Sequence, residues 1–303
     1  MRCKMNTIRI AIGQINSTLG DFEHNTKKII DYTEEAKNKE SDIILFPELA
    51  ISGYPPEDLV YKKSFLTANL KSIERILPHT KDIIVIVGFI NVKHDIYNSA
   101  AILLNGEIKG IYNKIFLPNY GVFDEERYFQ RGRNPIFIKT NEDLSFGISI
   151  CEDIWYPEGP GFTSALFNAD ILLNINASPF HYNKWSLREK MLSTRALDYG
   201  TAIFYCNMVG GQDELVFDGH SLVVNENGEV INRGKYFEEE LLITDMSVDS
   251  IRTKRLKDPR WKKKDILSPI MEPEIINLDF KVKNKKIIIE RTENNPPCVE
   301  EEV

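Results

Sequence analysis

The sequence predicts an α/β protein, a mixed sheet structure covered by helices, and three observations carry that prediction. Short β-branched runs alternate with longer stretches of helical spacing over roughly the first 250 residues. Two pairs of these runs are joined by tight turn sequences, which adds antiparallel hairpins and excludes a pure βαβ repeat. The chain has 303 residues, is 42% hydrophobic and 27% charged, and has a mean hydropathy of −0.29, so it can bury a large core.

Taken in order, Ile8-Arg9-Ile10-Ala11-Ile12 opens the chain as a buried strand, and the proline-free stretch 22–39 follows as a helix. Ile43-Ile44-Leu45-Phe46 is a second strand, 58–77 a second helix and Ile83–Val87 a third strand. Segments 95–104 and 107–113 flank Asn105-Gly106, a hairpin turn. The alternation Phe146–Ile150 ends at Cys151, Ile171–Ile175 is strand-like, 183–199 is helical and Ala202–Tyr205 is again a strand. Segments 219–224 and 229–232 flank Asn225-Glu226-Asn227-Gly228, a second hairpin.

Beyond about residue 257 the character changes. Pro259, Pro269, Pro273, Pro296 and Pro297, a β-rich run at Lys286–Ile289 and the acidic Glu300-Glu301-Glu302 describe an arm or linker. The sequence therefore divides into one large domain over 1–257 and a C-terminal segment over 258–303.

Charge and cysteine usage exclude several functions. With 38 Lys+Arg against 45 Asp+Glu the chain carries −7, and its longest basic run, Lys262-Lys263-Lys264, suits a solvated turn better than a phosphate-backbone surface; no nucleic acid is expected. No run approaches the ~18 to 20 apolar residues of a membrane span, and the first residues lead into a strand instead of a signal core, so a cytoplasmic protein with no membrane partner is expected. Cys3, Cys151, Cys206 and Cys298 form no CxxC pair and no short metal-ligand spacing with the histidines; free thiols and no metal site are expected. No glycine-rich phosphate loop follows the first strand.

Three local sequences place a reactive side chain where a strand ends. Glu48 follows the Ile43–Leu45 run and precedes the turn-rich Ser52-Gly53-Tyr54-Pro55-Pro56, where open α/β sheets commonly put ligands. Alone it is a weak signal, since a glutamate after a strand is more often an ordinary ion-pair or helix-start residue. Lys114 is the single charge between Ile111 and Asp124, either a fixed cation or a stem lying over apolar surface. Cys151 ends a strand ahead of Glu152 and Asp153, and a buried cysteine there can be a small hydrophobe. Together they form a set: a thiol, a carboxylate to take its proton and an ammonium to hold negative charge are the parts for nucleophilic attack on an amide or nitrile.

In that order, the sequence resembles the nitrilase superfamily of carbon–nitrogen hydrolases, and within it the glutaminase domains of glutamine-dependent NAD+ synthetases. The resemblance covers roughly residues 6–257 and rests on FPELAISGYPPEDL at 46–59, YNKIFLPNYGVFDEERYF at 112–129, GISICEDIW at 147–155, INASPFHYNK at 175–184 and GGQDELVFDGHSLVVNENGEV at 210–230. It implies an αββα sandwich of two mixed sheets covered by helices. It also implies a Glu48–Lys114–Cys151 triad that releases ammonia from L-glutamine through a thioester.

Carried over by position, Tyr120, Ser178 and Lys184 match glutamine contacts, with lysine at 184 where other members can have arginine. Glu152 and Trp155 match pocket positions after the nucleophile. Glu125 matches a second glutamate that positions the lysine, with Glu126 as its neighbouring rival. The resemblance further implies homo-oligomers, no cofactor for the glutaminase step, and ATP and Mg2+ only for a synthetase domain marked SGGxDS. No SGGxDS occurs in these 303 residues, so the segment ending at Val303 reads as a connector ahead of a synthetase domain encoded downstream or separately. Two competing readings remain: a stand-alone amidase of ω-amidase or carbamoylase type, and a non-catalytic assembly module.

Overall fold

The computed structural model describes residues 7–141 and 144–283. Its first half alternates β1 (Thr7–Gln14), α1 (Phe22–Asn38), β2 (Ile43–Leu45), α2 (Lys63–Ile76), β3 (Ile84–Val92), β4 (Ile96–Leu104) and β5 (Glu107–Asn113). The second half runs β6 (Ile136–Thr140), β7 (Ser145–Ile150), α3 (Pro160–Leu166), β8 (Ile171–Asn176), α4 (Lys184–Tyr199) and β9 (Ala202–Asn207). It continues with β10 (Val209–Gln212), β11 (Leu215–Asp218), β12 (Leu222–Val224), β13 (Val230–Arg233), β14 (Glu240–Ser247), α5 (Val248–Lys257) and β15 (Glu274–Leu278).

Among the described residues the strands form a six-stranded sheet in the order β14-β1-β2-β3-β4-β5, a seven-stranded sheet β13-β12-β9-β8-β7-β6-β15 and a β10-β11 ribbon. Both large sheets are mixed: β1, β2 and β3 run parallel in one and β7, β8 and β9 in the other, with antiparallel neighbours on each side. Period-two alternation sorts their side chains into layers. Ile10, Ile12, Leu45, Ile86 and Ile102 of the first sheet meet Ile138, Ile148, Leu173, Phe204 and Val223 of the second in one core. The intervening Ala11, Ile44, Val85 and Leu103 face outward onto Ile29, Ala36, Ile73 and Ile76 of α1 and α2. On the far side Leu172, Ile203 and Leu222 pack against Ala165 of α3 and Leu192 and Ala196 of α4. The result is an αββα sandwich.

Local chemistry sets the element ends. Asp21 caps α1 by accepting from the His24 backbone N–H at 3.1 Å. Asn105 (φ +51°) and Gly106 (φ +78°) adopt the paired left-handed turn that their sequence predicts between β4 and β5. The helix expected over 58–77 is divided: a 3-10 turn covers Glu57–Tyr61, Lys62 is extended, α2 covers 63–76, and Pro78, which cannot continue an α ladder, lies in a closing 3-10 turn. The strand expected from 219 begins only at Leu222, because Gly219 (φ +67°) and His220 (φ +51°) are left-handed.

The C-terminal segment packs on its own sheet. β15 pairs in parallel with β6, Glu274 against Ile136 through Leu278 against Thr140. Leu278 and Phe280 belong to the core between the sheets. Ile276 fills the space over Gly110, where an added Cβ would stand 2.2 Å from its Cδ1. The division read at residue 257 thus does not coincide with the edge of the core, because the strand that closes this edge lies beyond it. The β-rich run expected at 286–289 lies outside the described residues.

Candidate active site

Glu48, Lys114 and Cys151 follow β2, β5 and β7, and the fold brings the three together, Lys114 on Glu48 and both within electrostatic reach of Cys151. Glu48 reaches its place because β3 carries glycine at 88: a Cβ there would stand 2.3 Å from the Pro47 carbonyl oxygen and the Leu49 nitrogen. The Lys114 N–H donates to the Asn98 carbonyl at 2.9 Å, and the Lys114 carbonyl accepts from Gly132 at 2.7 Å. Cys151 starts a 3-10 turn with φ +43°, a left-handed backbone uncommon for a residue with a side chain. Exposure is 1% for Glu48, 0% for Lys114 and 5% for Cys151.

The Lys114 ammonium donates to Glu48 Oε1 at 2.6 Å and to Glu125 Oε1 at 2.8 Å. Asn98 Nδ2 donates to Glu48 Oε1 at 2.7 Å and reaches Glu125 Oε2 at 3.4 Å. The Tyr54 hydroxyl donates to Glu125 Oε1 at 2.9 Å. From the facing sheet, the Ala177 N–H donates to Glu48 Oε2 at 2.9 Å. Of the two candidate glutamates, Glu125 is therefore the one that meets the lysine; Glu126 pairs with Arg131.

Two buried carboxylates share one ammonium, and electrostatics follows from that shortage. Burial opposes the charge on Lys114, but Glu125 and Glu48 outweigh it and hold the ammonium well above its ordinary pKa. Burial pushes the Glu125 carboxyl up to about 7, with Lys114 pulling it down and Glu48 pushing it further up. Burial, and then the charge of Glu48, raises the Cys151 thiol well above its usual value, while Lys114 lowers it. The free site thus holds a thiol, not a preformed thiolate.

Around this group the structure places the other residues singled out in the sequence. Glu152 is buried, and its two carboxylate oxygens accept from the Tyr120 hydroxyl at 3.0 and 2.8 Å, the tyrosine being 59% exposed. Lys184 opens α4, donates to the Pro179 carbonyl at 3.1 Å and is lowered to about 8 by burial and then by Arg188. Ser178 is buried; its carbonyl and hydroxyl oxygens lie 2.9 and 3.3 Å from Arg188 Nη2. Trp155 packs instead with the cluster between the second sheet and α3 and α4, and its carbonyl accepts from Arg195.

Several members of the site escaped the sequence reading. Asn98 and Tyr54 carry no local signal, since each meets its carboxylate across at least 27 residues. Arg188 forms a buried pair with Asp218 at 2.6 Å and supports the Ser178 loop. Its signal was available: it lies four residues after Lys184 on a helix whose buried stripe continues through Leu192 and Ala196. A separate cavity of about 610 Å³ opens at the other end of β7, lined by Phe137, Ser145, Phe167 and Trp261 among others. Its two arginines are committed, Arg252 to Asp170 and Arg255 to the carbonyls of Gly200 and Asn168. Among the described residues no cluster is arranged to hold a metal ion, and no helix is long and apolar enough to cross a membrane.

Fold and site together define a hydrolase scaffold for carbon–nitrogen bonds, with a cysteine, a lysine and paired carboxylates at its centre. The sequence profile of the family described as Carbon-nitrogen hydrolase matches residues 9–256, and the chain belongs to that family. It is 48% identical over 259 residues to the glutamine-dependent NAD(+) synthetase of Thermotoga maritima, covering 84% of this chain and 45% of that protein. It is 43% identical over 297 residues to the enzyme of the same name from Aquifex aeolicus, covering 97% and 51%. The chain spans about half the length of these curated relatives. The solved glutamine-dependent NAD+ synthetase of Acinetobacter baumannii superposes with a TM-score of 0.78 at 38% identity, covering 81% of this chain and 47% of that one.

Proposed function

We propose that this chain hydrolyses the side-chain amide of L-glutamine to glutamate and ammonia, with Glu48, Lys114 and Cys151 as catalytic residues. The observation that carries the reading is the buried ion cluster, in which Lys114 bridges Glu48 and Glu125 beside a cysteine on a left-handed turn. Glu48 takes the Cys151 proton as sulfur attacks the amide carbon; the S–C bond forms and the carbonyl π pair moves to oxygen. Lys114, with a backbone N–H near Glu152, stabilises that oxyanion. When the oxyanion collapses, the C–N bond breaks and the nitrogen takes the proton from Glu48, leaving as ammonia. Water then attacks the thioester, giving its proton to Glu48; the C–S bond breaks, and the departing sulfur takes that proton from Glu48, which restores both the thiol and the carboxylate.

Glu152 and Lys184 offer charges of opposite sign, which suits the α-amino and α-carboxylate groups of an amino acid; Tyr120 and Ser178 complete that contact set. Names of the relatives agree with glutamine as the nitrogen source. On this reading the ammonia feeds ATP- and Mg2+-dependent amidation of deamido-NAD+ by a synthetase domain outside these residues, in a cytoplasmic homo-oligomer, and the glutaminase step itself needs no cofactor. Ammonia and glutamate release from L-glutamine, compared with Cys151→Ala, tests the proposal. Undiminished release by that variant would overturn it, as would a strong preference for short aliphatic amides over glutamine.

A further inference from the structure

Lys114 and Cys151 stand on different sheets, and a carboxylate outside the reacting group joins their backbones. Asp153 is 0% exposed. Its Oδ2 accepts from the Ile150 N–H at 2.9 Å and from the Tyr112 hydroxyl at 2.7 Å. Its Oδ1 accepts from the N–H groups of Phe116 at 2.9 Å and Ile115 at 3.2 Å. Ile150 immediately precedes Cys151, whereas Ile115 and Phe116 immediately follow Lys114.

We propose that Asp153 is a positioning residue that fixes the Lys114 ammonium relative to the Cys151 thiol, by tying the nucleophile's turn to the end of β5. The inference rests on the glutaminase reading for its effect on turnover. Four neutral donors converge on one side chain, and only an ionised carboxylate presents acceptors to all of them; an amide of the same shape would turn an N–H toward another N–H. Burial works against that charge and pushes the Asp153 carboxyl up to about 6, so the site retains an anion at a cost. Cys151 is left-handed, and Asp153, two residues on in the same 3-10 turn, caps that turn at the N–H of the preceding Ile150 while its other oxygen reaches the segment after Lys114.

The test uses Asp153→Asn and Tyr112→Phe in the chain as it stands, with melting temperature, kcat and KM for glutamine, and the rate at which iodoacetamide alkylates Cys151. A displacement of about 1 Å can cost on the order of 100-fold in turnover, so Asp153→Asn is expected to lower kcat by about that factor, with KM changed less than about threefold. Tyr112→Phe removes one donor without adding another, and is expected to lower kcat several-fold and slow alkylation with its melting temperature little changed. Melting temperatures that fall while kcat and alkylation rate stay at wild-type values would overturn the proposal, leaving Asp153 a fold residue only. Should Asp153→Asn not fold, Tyr112→Phe decides alone. The alkylation rate needs no substrate: a wild type inactive on glutamine would refute the functional reading, while equal alkylation in wild type and variants would refute this one.

Discussion

The Lys114 ammonium lies 2.6 Å from the Glu48 carboxylate with both side chains at 0% exposure. Removing either partner strands a buried charge. Lys114→Met leaves two buried carboxylates without their cation, and is expected to destabilise the fold by about 3 to 5 kcal/mol, read by urea denaturation near pH 7.5, and to abolish ammonia release. A variant that keeps wild-type stability would show that the pair contributes nothing net.

Glu125, pushed up to about 7, binds a proton more readily in the folded chain than in the unfolded one. Its contribution to stability is therefore fully present below the ordinary carboxylate range and is lost as pH rises through 7. Glu125→Gln removes that dependence. The difference in unfolding free energy between wild type and variant is expected to shift by about 3 kcal/mol between pH 4.5 and 8, wild type losing ground as pH rises. A pH-independent difference would sink the assignment. Asp153 titrates in the same direction in both proteins and cancels from the comparison.

Lys184 loses its charge from about pH 8 upward. If it holds the substrate carboxylate, KM for glutamine should rise about tenfold between pH 7 and 9, as the charged fraction falls. Lys184→Arg, charged throughout, should flatten that limb; an equally steep rise in the variant would place the titration elsewhere.

Gly88→Ala puts a methyl group 2.3 Å from the backbone on either side of Glu48. The expected cost is about 1 to 3 kcal/mol of stability together with a larger loss of kcat than of KM, because the displaced segment carries Glu48. Thermal denaturation and steady-state ammonia release check both.

What the sequence made legible depended on locality. Glu48, Lys114 and Cys151 could be picked out because each follows a β-branched run, and strand ends are readable from period and turn residues alone. Choosing between Glu125 and Glu126 was beyond it: both lie in one 3-10 turn, and only folding sends one inward to Lys114 and the other outward to Arg131. Asn98 is set by contacts between elements distant in sequence and shows in no local window, whereas Arg188 lies on the buried stripe of α4 and could have been read from its spacing. The αββα arrangement came from the family resemblance, whereas periodicity alone gave a mixed sheet under helices. The break at Lys62 and the late start of β12 were missed because isolated extended or left-handed residues leave little trace in a hydrophobic pattern.

The pairing of β15 with β6 also sets an order of events. A ribosome delivers residues 9–256, the whole span of the family match, before it delivers Glu274–Leu278. Until those last residues emerge, β6 presents an open row of amides and carbonyls, and the core lacks Leu278 and Phe280. The nascent sandwich therefore passes through an interval with one adhesive edge, which ends only when residues 274–278 fold back and cover it.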